Sequence, residues 1–187
     1  QGRVFIYFGT INSTLDTVNF IEIRGVAGEA FGSTAQIIKD IDNDGLDELA
    51  ISAHSQGGGQ GRVYIFRGRS ANPTGTPANA NDNWYTSRSG GFVSSSAANW
   101  ILAGPTPVAS GGNEFGRLRW GVTQLGDVDN DGRQDFAIPM SKLARNRLVA
   151  FSGARVAATN TGLPNPASTS LVVDIVAPRS LTVDGYQ

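Results

Sequence analysis

Cysteine is absent from the 187 residues, which removes thiolate metal sites, disulfide frameworks and cysteine nucleophiles from consideration. Histidine occurs once, at His54, and lysine only at Lys39 and Lys142 among 15 basic residues. Charged residues make up 17%, too few for a coiled coil, and glycine follows no three-residue period, so collagen is excluded too. Apolar runs such as Leu171-Val172-Val173 fall far below the ~20 residues of a membrane-spanning helix. The net charge of −1 supplies no global attraction to nucleic acid or to an acidic membrane. No window carries a helical period. The chain opens on Gln1 without a charged-then-apolar leader, so it is expected to be a processed chain or a piece of a longer one.

What the sequence does have is repetition. Gly2-Arg3-Val4-Phe5-Ile6-Tyr7-Phe8-Gly9 recurs as Gly61-Arg62-Val63-Tyr64-Ile65-Phe66-Arg67-Gly68, and more weakly as Asn146-Arg147-Leu148-Val149-Ala150-Phe151-Ser152-Gly153. Each copy is a β-branched and aromatic run closed by glycine, the pattern of a strand entering a turn. Between the copies lie two acidic segments, 40–48 and 127–135, each followed by an apolar stretch, Leu49–Ala53 and Phe136–Pro139. Extended segments also precede them (Ala35–Ile38, Val122–Leu125), so each acidic loop is expected to join two antiparallel strands. Further strands are expected at Phe20–Ile23, Trp100–Ala103 and Leu171–Val176. Four strands per unit with glycine-closed turns is the pattern of a propeller blade. The stretch 69–99, rich in Ser, Asn, Gly and Pro, reads as a long surface loop.

The acidic loops have carboxylates at positions 1, 3, 5 and 9 and glycine at position 6, which suits a hard cation bound by oxygen. The expected ligands of the first are Asp40, Asp42, Asp44, the carbonyl of Leu46 and Glu48; those of the second are Asp127, Asp129, Asp131, the carbonyl of Arg133 and Asp135. Asp47 should point away. Four carboxylates within nine residues repel one another unless a cation sits among them. A solvated acidic turn is the minor alternative even for one such loop, and two copies in equivalent places of a repeat reduce it further in favour of metal. Position 12 is Ile51 or Ile138, not the bidentate Glu of an EF-hand, and calcium suits a carboxylate cage better than magnesium.

The combination Phe31-Gly32, Asp40-x-Asp-x-Asp-Gly, Leu49–Ala53 and Gly61–Phe66 resembles the FG-GAP repeat, which builds the β-propeller of integrin α subunits and of many bacterial surface and secreted proteins. The resemblance runs through nearly the whole chain, although Ser52-Ala53-His54 and Pro139-Met140 replace the family's Gly-Ala-Pro and Glu48 replaces its usual Asp. It implies an all-β fold: a partial β-propeller of about two to two and a half four-stranded antiparallel blades with calcium-binding loops. The expected division is a partial blade over 1–24, a blade over about 25–104 and another over about 105–187. A closed propeller needs about four to eight blades, so other chains or segments must complete this one, possible forms being a homo-oligomer or fibre.

Other chemistry finds little support. A Ser-His-acid triad would need His54, yet no Gly-x-Ser-x-Gly elbow exists. Gly57-Gly58-Gly59-Gln60-Gly61 lacks the Lys-Ser/Thr of a phosphate loop. The acids outside the loops (Asp16, Glu22, Glu29, Asp82, Glu114, Asp174, Asp184) mark out no glycosidase pair. Arg117/Arg119 and Arg145/Arg147 read as solvated faces; Trp84, Tyr85 and Trp100 read as packing before a stacking platform. Asn12-Ser13-Thr14 is a formal glycosylation sequon. The functional expectation is a non-enzymatic, calcium-stabilised module for adhesion or assembly, extracellular or at the cell surface, with a protein or glycan ligand. The alternatives are an accessory segment of a secreted enzyme or a subunit of a structural homopolymer.

Overall fold

The computed structural model describes residues 1–9, 15–56, 60–68, 92–104, 121–140, 147–159 and 170–176. The elements run β1 (Arg3–Gly9), β2 (Leu15–Arg24), β3 (Phe31–Ile38), β4 (Glu48–Ala53), β5 (Arg62–Phe66), β6 (Val93–Ser94), β7 (Trp100–Ala103), β8 (Thr123–Gly126), β9 (Asp135–Met140), β10 (Arg147–Phe151), α1 (Gly153–Ala158) and β11 (Ser170–Val176). They form three sheets ordered β1-β2-β6, β3-β4-β5-β7 and β11-β10-β9-β8. The architecture is all-β, a partial β-propeller of sheets that pack face to face.

The packing follows from side-chain alternation. On the middle sheet, Ile51, Tyr64 and Phe66 point one way and pack with Ile21 and Ile23 of the first sheet. Ala50, Val63, Ile65 and Leu102 point the other way and meet Phe136, Ile138 and Phe151 of the third sheet. Both faces of the middle sheet are therefore covered, and every residue of β4 is buried. That is why β4 and β5 read as nearly continuous apolar runs rather than as alternating ones. Dry interiors of this kind supply roughly 25 cal/mol per Å² of apolar surface removed from water. The first sheet differs: Phe5 and Tyr7 on its outer face stay 43% and 45% exposed.

Each acidic loop joins neighbouring antiparallel strands, β3 to β4 and β8 to β9. Four features depart from the sequence reading, the first being that β2 runs Leu15–Arg24 rather than Phe20–Ile23. β3 starts at Phe31 rather than Ala35, with a register shift between them. Val93 and Ser94 leave the expected loop to pair with Ile23 and Arg24, and this pairing is parallel; two residues are too few to show a period. The short helix α1 follows β10, its N-terminus capped by Ser152 Oγ, which accepts from Arg155 N.

Candidate metal centre

The two acidic loops share one backbone path. Asn43 and Asn130 at position 4 lie at φ 64° and 58°, and Gly45 and Gly132 at position 6 at φ 87°. Asn tolerates this left-handed region and Gly enters it freely, so the Asn-Asp-Gly string is the local cause of the wrap. The leading aspartate holds the wrap closed. Asp40 accepts from the N–H groups of Asn43 (2.5 Å), Asp44 (3.1 Å) and Gly45 (2.7 Å); Asp127 accepts from Asp131 (3.0 Å) and Gly132 (2.9 Å). Asp44 and Asp131 each accept from the N–H two residues on, Leu46 and Arg133, at 2.9 Å.

The last carboxylate ties each loop to the glycine two residues beyond the third strand of its sheet. Glu48, fully buried, accepts from Ile41 N at 2.8 Å and Gly68 N at 3.5 Å. Asp135, also fully buried, accepts from Val128 N at 2.7 Å and Gly153 N at 3.0 Å. The glycines are there because of close approach. A Cβ on Gly68 would lie 2.2 Å from the Asp47 carbonyl oxygen, and one on Gly153 would lie 2.1 Å from that of Gln134. These glycines, which close the repeated aromatic strand in the sequence, seat the end of the acidic loop.

Carboxylate oxygens of Asp40, Asp42, Asp44 and Glu48 lie within 4.8 Å of one another, as do those of Asp127, Asp129 and Asp135. Asp131 stands outside the second group; Ser152 Oγ donates to its Oδ2 across 3.4 Å. Asp47 also lies apart, paired with Lys39 Nζ at 2.7 Å. Leu46 and Arg133 occupy the expected loop positions, and Arg133 Nη1 donates to the Ile41 carbonyl at 3.3 Å, linking the second loop to the first. The segments leading into the loops are joined as well, where Lys39 N donates to Gln124 Oε1 of β8 at 2.8 Å.

Burial pushes the Glu48 carboxyl up to about 8, the N–H donors of Ile41 and Gly68 opposing the shift and the Asp42 charge adding to it. Burial also raises Asp42, against the lowering effect of the Arg67 guanidinium. Asp42 Oδ1 is buried and has no hydrogen-bond partner. An all-oxygen donor set containing a raised carboxyl and an orphaned oxygen is what a hard divalent cation would relieve. The residues fit such an ion.

Sequence reasoning passed over Arg67, whose Nε is ion-paired with Asp42 Oδ2, and its counterpart Ser152. The signal was available, since both residues stand just before the closing glycine of the repeat.

Residues 31–66 match the FG-GAP repeat. The matched span runs from the start of β3 through the first acidic loop to the end of β5. A stretch of 71 residues is 39% identical to integrin alpha-4 of Xenopus laevis, covering 37% of this chain and 7% of that protein. The span that matches the FG-GAP repeat therefore contains the whole of the first carboxylate group.

His54 is half-buried, its Nδ1 3.0 Å from Ser33 Oγ. Trp100 belongs to the core between the middle and third sheets. The Gly57–Gly59 turn, Trp84, Tyr85, the Arg117/Arg119 pair, Arg145 and the sequon at Asn12 lie outside the described residues. Among the described residues, no helix is long and apolar enough to cross a membrane.

Proposed function

We propose that the chain is a non-enzymatic, calcium-stabilised segment of an extracellular or cell-surface β-propeller that serves adhesion or assembly. The observation that carries this reading is the pair of acidic hairpin loops, alike in backbone and each tied through a buried carboxylate to the glycine just beyond the third strand of its own sheet. A solvated turn needs neither a fully buried carboxylate nor an orphaned Asp42 oxygen. In this reading Asp40, Asp42, Asp44, the Leu46 carbonyl and Glu48 hold one calcium ion. Asp127, Asp129, Asp131, the Arg133 carbonyl and Asp135 hold the other. The bound ions neutralise the loops and lock each hairpin.

The blades are a partial one over 1–24 and two more over about 25–104 and 105–187. The open face of the first sheet supports a neighbour. Phe5 and Tyr7 stand in the repeat where Tyr64 and Phe66 stand, and those two are buried against the preceding sheet. A further blade, from the same polypeptide or another chain, would cover Phe5 and Tyr7 in the same way. A protein or glycan ligand would then be recognised by the assembled surface.

Titration calorimetry with calcium and thermal melting with and without chelator test the reading. Two equivalents of calcium and a higher melting temperature are expected, each site adding roughly 2.7 kcal/mol at a hundredfold excess over Kd. No uptake and an unchanged melting temperature would overturn it.

A further inference from the structure

We infer that Arg67 is a resident cation of the first acidic loop, competing with a metal ion for Asp42 and so making this loop the weaker calcium site of the two. The inference rests on the calcium reading of both loops. Its first support is position: Arg67 Nε is ion-paired with Asp42 Oδ2, and the Asp42 side chain is only 7% exposed. The second is that the guanidinium is held in place. It lies 5.1 Å from the centre of the Trp100 ring, and the Arg67 backbone N–H donates to Asn99 Oδ1 at 2.9 Å. A planar cation stacked on an aromatic face and fixed at its backbone loses little freedom in making the pair.

The second loop supplies the contrast within one molecule. There the equivalent residue is Ser152, short and neutral, and Asp129, the counterpart of Asp42, is exposed. Metal binding in the second loop displaces no side-chain cation from that position. In the first, a dication entering beside Asp42 must either displace the guanidinium or tolerate a like charge a few Å away, and both weaken binding. The same pair keeps the metal-free first loop folded, because it compensates a carboxylate that would otherwise be buried alone.

The test uses the 187-residue chain with the second loop silenced by Asp129→Ala, so that calorimetry reads the first loop. Arg67→Gln removes the charge while keeping a stem over Trp100; Arg67→Lys keeps the charge. Expected results are calcium affinity tightened by roughly tenfold or more in Arg67→Gln, together with a lower melting temperature in chelator, and wild-type-like weak binding in Arg67→Lys. A purely structural Arg67 predicts the opposite for affinity, since a loosened loop binds less well. Unchanged or weaker calcium binding in Arg67→Gln, or equal behaviour of the two variants, overturns the inference and leaves the calcium reading standing. No calcium uptake by the first or second loop in any protein, wild type included, removes both.

Discussion

The first and second acidic loops have the same spacing, the same left-handed residues at positions 4 and 6 and the same anchoring of their last carboxylate, yet their surroundings differ in charge. The first gathers Asp40, Asp42, Asp44 and Glu48, with Arg67 beside Asp42. The second gathers Asp127, Asp129 and Asp135, leaving Asp131 to Ser152 and the Arg133 N–H. The difference shows that a loop's conformation and its affinity for a cation are set separately. Conformation comes from residues inside the loop; charge balance comes from the residue just after the third strand of the sheet, Arg67 or Ser152.

The hardest way to break the likeness between the loops is through the glycines they share. Gly68→Ala and Gly153→Ala should each destabilise the chain by roughly 3 kcal/mol or more, because the added methyl meets a backbone carbonyl that has nowhere to go. Equilibrium urea unfolding measures this. A loss below about 1 kcal/mol would mean that the loop end is not seated as described.

A smaller effect sharpens the contrast through pH. The native Glu48 carboxyl is raised to about 8 from an ordinary 4.5, so between those values the folded chain holds a proton that the unfolded chain has lost. Its stabilising contribution is complete below about 4.5 and disappears as pH rises through about 8. In chelator, stability should fall across that window by on the order of 2 kcal/mol, allowing for solvent screening. With calcium bound the trend reverses, since the ion requires the carboxylate and acid releases it. Glu48→Gln should flatten the metal-free profile. A flat wild-type profile in chelator would contradict the burial argument.

The smallest change concerns Asp131. Asp131→Ala removes the acceptor for the Arg133 N–H and the Ser152 hydroxyl, and should cost about 1 kcal/mol in unfolding experiments with chelator present. Asp129→Ala, at an exposed position, should cost within about 0.5 kcal/mol under the same conditions. If the order were reversed, Asp129 rather than Asp131 would be the structural member of the second loop.

Much of this molecule is written locally. The strand–loop–strand order around each acidic segment is legible because β4, β5, β9 and β10 carry β-branched and aromatic runs bounded by glycine. The loops are legible because Asp at alternate positions followed by Gly has few other uses. The four carboxylates expected in the first loop do gather. The parallel pairing of Val93 and Ser94 with β2 is not, since two residues leave no pattern. Nor is α1, whose six residues are too few to establish a helical period.

The sequence by itself determined the all-β character, the hairpins and the wrap of both loops, because backbone preference and side-chain alternation act between near neighbours. Only the tertiary structure decided which face of each sheet is covered and that Glu48 and Asp135 are fully buried beneath the loops. It also decided that Arg67 rather than a neutral residue faces Asp42. Those outcomes depend on where distant strands bring their charges and their apolar faces, and Coulomb and desolvation energies are set by distance and burial in space, which spacing along the chain does not specify.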